Sequence, residues 1–212
     1  MSGTVRVVGA LGVVGSASMA PVLAQAPKLD REREVRLAMS AGPPAISQGA
    51  DVWVFGSRGF EKAIEGSNGF GCMVIRAASD PELLAPHCFS PDAVETVVPA
   101  KLAEGRLIAE GKSGEEVDAA LLEAFDDGTL PLPSGDAYAY MLSSGQRLGP
   151  AGQWKPHFMI YRPYATNEEM GGSLDDPRFP FVGPQVGHPH STLVIVMTDF
   201  VDPEEIVLPT GR

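Results

Sequence analysis

The stretch that organises the chain runs from Gly66 to Cys88 and reads GSNGFGCMVIRAASDPELLAPHC. It contains both cysteines of the sequence and a dense apolar run between turn residues. The pair Asn68-Gly69 suits the two positive-φ positions of a type I′ turn, so it predicts a tight hairpin. The run from Phe70 to Ile75 then predicts a strand that is buried on both faces.

Cys72 and Cys88 lie sixteen positions apart. In an oxidising compartment, two such cysteines are expected to form a disulfide, which closes a short loop and contributes about 3 kcal/mol to stability. The alternative is a reactive thiol at Cys88, because His87 directly precedes it. We prefer the disulfide because the N-terminus predicts export.

The N-terminal residues 1–26 are typical of a signal peptide. Arg6 gives a thin positive region, residues 7–14 are apolar, and Ala24-Gln25-Ala26 has the small-x-small form of a cleavage site. The apolar run is too short to span a bilayer, so it is not predicted to be a membrane anchor. The sequence therefore predicts an extracytoplasmic protein, periplasmic or secreted, with no membrane-spanning segment.

The chain is acidic, since 16 Lys and Arg residues face 27 Asp and Glu residues and give a formal net charge of −11. Removal of the signal peptide would also remove Arg6 and change this charge to −12. Such a chain repels phosphate backbones and anionic lipid, so nucleic acid is excluded as a partner, while a small molecule or an envelope protein is compatible. The 19 prolines and 24 glycines indicate one loop-rich domain over residues 27–212, with a core at about 29–200 and a tail at 201–212.

The periodicity predicts an α+β fold with a mostly antiparallel sheet, two or three helices packed on one side, and one disulfide. Residues 51–76 are predicted to form an antiparallel meander, residues 77–90 a loop, and residues 94–98 an extended piece. The predicted helices are 29–39, 99–110 and 113–127, the last with a capping box at its start. The remaining predicted strands are 137–142, 154–161 and 191–197.

Three of the four histidines suggest a divalent metal site. In an extended segment, His188-Pro189-His190 places both imidazoles on the same side, which is a usable ligand spacing. His157 would join them if its strand lies beside the last one, and Tyr161 shares a face with His157. The alternative is that these histidines are hydrogen-bonded structural residues.

A nucleophilic enzyme would need a serine or cysteine beside a histidine with an orienting acid. The sequence offers Ser143, Ser144 and Ser191 but ties none of them to a base. It contains neither a Gly-x-Ser-x-Gly elbow nor a His-Glu-x-x-His motif, so no catalytic residue is assigned.

Five short segments together resemble a group of uncharacterised bacterial exported proteins. In that group an Asn-Gly-aromatic-x-Cys segment, a second cysteine, a Tyr-Met-Leu strand, a Gly-Pro-His-aliphatic-Met strand and a Gly-Thr-Pro-Tyr/His strand follow in this order. This chain has Lys155 where Gly is usual and His188 where Thr is usual, so His157 and His190 are better candidates for a shared role. The resemblance implies an exported single domain and no particular activity. The matching segments are 66–72, 86–89, 140–142, 155–160 and 187–190.

Two functional hypotheses follow from these observations. The first is a binding or structural role in the cell envelope, because a well-specified fold lacks a recognisable catalytic constellation. The alternative is a hydrolytic or metal-assisted enzyme with a site near His157, Tyr161 and His190. Convergence of these side chains in a cleft would favour the enzyme, and a large exposed apolar patch would favour the binding domain.

Overall fold

The computed structural model describes residues 29–149 and 152–208, so the predicted signal peptide lies outside the described residues. The helices in these ranges are α1 (Arg31–Met39), α2 (Pro44–Ser47), α3 (Pro91–Thr96), α4 (Val98–Ala109), α5 (Gly114–Asp126) and α6 (Asn167–Met170). The strands are β1 (Asp51–Gly56), β2 (Gly59–Ile64), β3 (Gly71–Ala77), β4 (Asp80–Phe89), β5 (Tyr138–Met141), β6 (His157–Tyr161), β7 (Phe181–Val182) and β8 (Thr192–Val196).

The eight strands form one sheet in the order β2-β1-β3-β4-β5-β6-β8-β7. Every neighbouring pair is antiparallel except β1 and β3, which are parallel. The predicted α+β class, the mostly antiparallel sheet and the disulfide are confirmed.

The predicted hairpin at Asn68-Gly69 is wrong, and of the antiparallel meander predicted over residues 51–76 only the pairing of β1 with β2 is present. β3 pairs with β1 in parallel, so the connection from β2 must cross past β1. Gly69 has a positive φ of 79°, but Asn68 does not, so the type I′ turn is absent at this position. Instead, the Asn68 side chain accepts a hydrogen bond from the Phe70 amide and donates one to the Ile46 carbonyl. The asparagine thus forms a local Asx turn, which competes with the hairpin conformation.

The predicted loop at residues 77–90 is mostly strand β4, which pairs with β3 along its length. Pro81 and Pro86 argue against a central strand in the sequence, because proline donates no ladder hydrogen bond. The side chains of β4 nevertheless alternate between the two faces of the sheet. Leu83 packs in the apolar core on one face and Leu84 in the apolar core on the other. Because Cys72 and Cys88 are direct cross-strand partners, their disulfide lies fully buried within the sheet.

Both faces of the sheet carry helices. On one face, α4 packs over β2 and β3, α3 packs over β4 and β5, and α5 packs outside α4, in agreement with the predicted helices on one side of the sheet. On the opposite face α1 packs over β1, β3 and β4. In the described residues, an apolar core therefore lies against each face of the sheet, with Met73 in the first and Val74 in the second.

Local capping signals account for the helix boundaries. The predicted box at the start of α5 is present, because the Ser113 hydroxyl accepts from the Glu116 amide and the Glu116 carboxylate accepts from the Ser113 amide. The predicted extended piece at residues 94–98 is wrong, since these residues belong to α3 and the start of α4. Ser90 caps α3 ahead of Pro91, and this cap outweighs the β-branched residues that suggested a strand.

The C-terminal segment packs against α1 as far as the structure describes it. A 3-10 helix forms at Pro203–Glu205, and Ile206 is buried in the core beneath α1. The guanidinium of Arg36 donates to the Ile206 carbonyl. Residues 203–206 therefore belong to the domain core and are not an extended tail. Among the described helices, none has the length and apolar character needed to cross a membrane.

Candidate functional site

The strand register decides which of the predicted site residues meet. β6 does lie beside β8, with His157 opposite Val196 and Tyr161 opposite Thr192. His157 and Tyr161 therefore occupy opposite ends of β6, about 13 Å apart along the strand. His190 precedes β8 and lies at the Tyr161 end, with the two ring centroids 5.8 Å apart. The structure thus brings Tyr161 and His190 together and leaves His157 apart from them.

His190 is a buried histidine with an unsatisfied nitrogen. Its side chain is only 3% exposed, and its ring packs edge-on against Phe125 of α5 at 4.7 Å. Its Nε2 atom is buried and has no hydrogen-bond partner. Burial first, and then the nearby charges of Lys101 and His188, lower the pKa of His190 to about 3. The imidazole is therefore neutral at physiological pH.

His188 stabilises the turn that leads into β8. Its Nδ1 atom accepts a hydrogen bond from the His190 amide at 3.0 Å, which places the proton of the neutral ring on Nε2. The backbone N–H of His188 in turn donates to the Ser191 hydroxyl. A ring that accepts at Nδ1 and carries its proton on Nε2 has no free lone pair for a metal ion, so this geometry favours a structural role for His188.

An ion pair between Lys101 and Glu104 of α4 lies near Tyr161 and His190, with an N–O distance of 2.9 Å. Burial first, and then the charge of Glu104, raise the pKa of Tyr161 well above its usual value. Efficient acid–base groups have a pKa near the working pH, whereas this phenol stays protonated and His190 stays neutral. Tyr161 and His190 are therefore poorly suited to proton transfer near neutral pH.

Two of the three serines considered as nucleophiles, Ser143 and Ser191, have structural partners. Ser143 is buried, its Oγ lies 2.6 Å from the Ser40 Oγ, and it accepts from the Gly145 amide. The Ser191 hydroxyl is also buried and contacts backbone groups of the turn before β8. In the part of the chain that the structure describes, no histidine side chain is hydrogen-bonded to a serine hydroxyl.

The alternative hypothesis of a reactive thiol at Cys88 is wrong, because the Cys88 sulfur is bonded to Cys72. His87 lies on the opposite face of β4, where its ring stacks on Phe89 at 5.6 Å. Its Nδ1 atom lies 2.8 Å from the Ala85 carbonyl and must donate, since a carbonyl only accepts. Burial lowers the pKa of His87 to about 3.

The described ranges contain no group of three or more His, Cys, Asp or Glu side chains arranged to hold a metal ion. A divalent metal at His157, His188 and His190 therefore stays a prediction without geometric support. The charges of Lys101 and Glu104, which affect His190 and Tyr161 respectively, come from α4, which sequence reasoning did not connect with these residues.

A cleft of about 430 Å³ opens on the opposite side of the sheet, between the start of α1 and the 3-10 helix. Its lining combines charged groups such as Arg33 and Asp202 with apolar ones such as Leu37 and Leu84. Of the residues that the sequence suggested for chemistry, Ser144 lines this cleft. The histidines are remote from it, because α1 and the histidines lie on different faces of the sheet.

The other half of the sheet face that carries α1 is apolar, and no helix of the described residues lies over it. The strands β5, β6 and β8 alternate, with Met159 and Val194 facing the α4 core and their neighbours facing away. Antiparallel sheets normally place polar side chains on an uncovered face, so an apolar set here is informative. We call this surface the open sheet face. Its residues are Phe70, Tyr138, Tyr140, Phe158, Ile160, Leu193, Ile195 and Met197.

The aromatic rings of the open sheet face contact one another. The ring of Phe158 lies 5.1 Å from both Tyr138 and Tyr140, and the rings are tilted. Ile160 and Met197 are 37% and 40% exposed, so the surface is accessible to a partner. In the sequence, these strands are apolar at nearly every position. This pattern predicts burial on both faces, so the open sheet face could not be recognised from the sequence.

Comparison of the chain with protein-family models, with curated proteins and with solved structures gives no match in any of the three.

Proposed function

We propose that this protein is an exported binding domain that holds a partner protein of the cell envelope on its open sheet face. The single observation that carries the proposal is an apolar surface spread over three adjacent strands that no helix covers within residues 29–149 and 152–208. Apolar patches of this kind on a domain are typical of protein interaction sites. Tyrosine and phenylalanine also contribute much of the energy at protein interfaces.

Export is supported by two independent features. The N-terminal segment has the pattern of a signal peptide, and the Cys72–Cys88 disulfide is the kind of bond that persists in oxidising compartments. The resemblance to bacterial exported proteins points the same way. We therefore place the partner in the periplasm or outside the cell.

The charges beside the open sheet face indicate the chemistry of the partner. Tyr138 lies next to two exposed carboxylates, Asp92 and Asp136. Burial is the main cause that raises the pKa of Tyr138. Nearby negative charges, among them those of Asp92 and Asp136, raise it further. Since the whole chain also carries a net charge of −11, a partner with an apolar surface bordered by lysine or arginine fits this face best.

The test places a photo-crosslinking amino acid, p-benzoylphenylalanine, at position 158 in protein that a bacterial host exports. Position 122 is the matched control, because Leu122 is an exposed apolar residue on α5, away from this face. We expect an adduct with one envelope protein at position 158 that is absent at position 122. Equal adducts at both positions, or an adduct only with a second copy of this chain, would overturn the proposal.

The partner identified in this way is then purified and its affinity measured. We expect Phe158→Ser to weaken binding by about tenfold or more, because truncation of a central aromatic contact costs at least about 1.4 kcal/mol. Leu122→Ser should leave the affinity unchanged. Asp136→Asn should slow association and reduce its dependence on salt, as expected for a charge at the rim. Unchanged affinity in Phe158→Ser would contradict the assignment of the surface.

A further inference from the structure

We infer that His87 and His157, together with Met141 between them, form a binding site for the soft monovalent ion Cu(I). The three residues come from three adjacent strands, and the topology alone brings them together. The site lies on the face of the sheet opposite the open sheet face, so the inference is independent of the proposed partner.

The strand register sets the three side chains in one row. Met141 of β5 is the direct partner of His157 on β6. β4 pairs with β5 through Cys88 opposite Tyr140, and the same register continued by one residue sets His87 opposite Met141. With strands about 4.8 Å apart, the Cα atoms of the two histidines are about 10 Å apart across Met141. Met73 of β3, which pairs with His87, extends the row by a second thioether.

The two imidazoles are prepared for a ligand in the same way. The Nδ1 atom of His157 lies 2.8 Å from the Lys155 carbonyl, and that of His87 lies 2.8 Å from the Ala85 carbonyl. Each ring therefore donates Nδ1–H to the carbonyl two residues before it, which leaves the lone pair on Nε2. A histidine that binds a metal through Nε2 typically makes this same hydrogen bond with its other nitrogen.

Neither Nε2 atom has a hydrogen-bond partner among the described residues. A free lone pair on the Nε2 atom of a neutral imidazole is what a histidine needs in order to coordinate a metal ion. The three side chains lie on the same face of the sheet, since Met141 belongs to the core on that face and the two imidazoles contact Phe89 and Trp154 of the same core.

The donor set favours a soft ion of low charge. Thioether and imidazole groups suit Cu(I), whereas Ca²⁺ and Mg²⁺ require several oxygen ligands. The ammonium of Lys101 is close enough to His87 to lower its pKa, and it would repel a divalent ion more strongly than a monovalent one. Phe89 and Trp154 lie against the two imidazoles and supply apolar walls.

The test is an anaerobic titration of the purified, disulfide-intact protein with Cu(I) in competition with the chromogenic chelator bicinchoninate. We expect one Cu(I) per chain, with affinity lowered at least about tenfold in His87→Gln and in His157→Gln. His190→Gln is the matched control, because it alters a buried histidine outside the row, and it should bind normally. Failure of the wild type to retain Cu(I), or loss of binding in His190→Gln alone, would overturn the inference.

A second measurement covers the risk that the histidine variants do not fold. Met141→Leu conserves the volume of the core side chain and removes only the sulfur. X-ray absorption of the loaded wild type should show both nitrogen and sulfur ligands, and the sulfur contribution should fall in Met141→Leu. A spectrum with nitrogen and oxygen ligands only, unchanged in this variant, would contradict the row as the site.

Discussion

Glu34 of α1 and Arg76 of β3 form a fully buried ion pair, with an N–O distance of 3.0 Å and side chains that are 2% and 1% exposed. Glu34 also accepts a hydrogen bond from the Phe55 amide, and Arg76 donates to the Val74 carbonyl. Burial raises the pKa of Glu34, while the neighbouring guanidinium offsets part of that effect. The pair thereby connects α1 to β1 and β3.

Removal of one partner should be strongly destabilising. We expect Glu34→Gln to lower the free energy of unfolding by about 3–5 kcal/mol, because it leaves the Arg76 charge buried without compensation. The matched control is Glu32→Gln, which removes an exposed ion pair with Arg36 and should cost less than about 1 kcal/mol. Urea unfolding of both variants measures the difference, and equal midpoints would contradict the assigned role.

Loss of the disulfide should lower stability by about 2–5 kcal/mol. The variant to test is Cys72→Ser combined with Cys88→Ser, which leaves no single thiol. Thermal unfolding with and without reductant separates the bond from the substitutions, since reductant should lower the Tm of the wild type and not that of the variant. Equal melting of the two proteins under oxidising conditions would show that the bond does not contribute.

Acid should destabilise the fold through His190. Its pKa is about 3 in the folded protein and about 6.5 in an unfolded chain, so the unfolded state binds the proton first as the pH falls. The stabilisation is fully present above pH 6.5 and decreases from there towards pH 3, by about 2 kcal/mol at pH 5. His190→Leu should therefore lose about 2 kcal/mol less than the wild type between pH 7 and pH 5 in urea unfolding. Identical losses would contradict a neutral buried imidazole.

A methyl group at Gly105 should destabilise the protein, although alanine is the better helix former. A Cβ atom at this position of α4 would clash with the ring of Phe60 on β2. We expect Gly105→Ala to cost about 1–3 kcal/mol of unfolding free energy, which exceeds the helix propensity gain of about 1 kcal/mol.

The cost at Gly105 should fall when the ring is removed. Adding Gly105→Ala to a Phe60→Leu background is therefore expected to stabilise the protein by up to about 1 kcal/mol, since the shorter side chain leaves room for the methyl group and the gain in helix propensity remains. The double-mutant cycle in urea gives the coupling energy directly. A Gly105→Ala protein that is more stable than the wild type would contradict the prediction. It would mean that α4 can move away from β2 at little cost in free energy.

Several features were predictable because they depend on neighbours in the chain. The capping box of Ser113 and Glu116 specifies the start of α5, and Pro99 lies in the first turn of α4, as the sequence predicts. The apolar runs at β6 and β8 were identified as strands for the same reason. Local backbone preference and side-chain periodicity are properties of short segments, so the α+β class could be derived from them.

Strand pairing could not be derived in this way. Asn68-Gly69 predicts a hairpin, yet β3 pairs with β1, because that arrangement buries Met73 and Val74 under helices on both faces of the sheet. Pro86 argues against a strand, yet β4 forms around it because its other side chains serve both cores. In each case the local conformational preference is outweighed by the free energy of burying side chains that lie far apart in the sequence.

The sequence by itself determined the class of fold, most of the helices and the pair of cysteines that joins, since each follows from composition or short-range pattern. Only the tertiary structure decided that His157 stands in a row with His87 and not with His190, and that β5, β6 and β8 leave one apolar face open. The physical reason is strand register. A shift of one residue in the pairing of a strand moves each of its side chains to the other face of the sheet. The register is fixed by the packing of the whole sheet and not by any one segment.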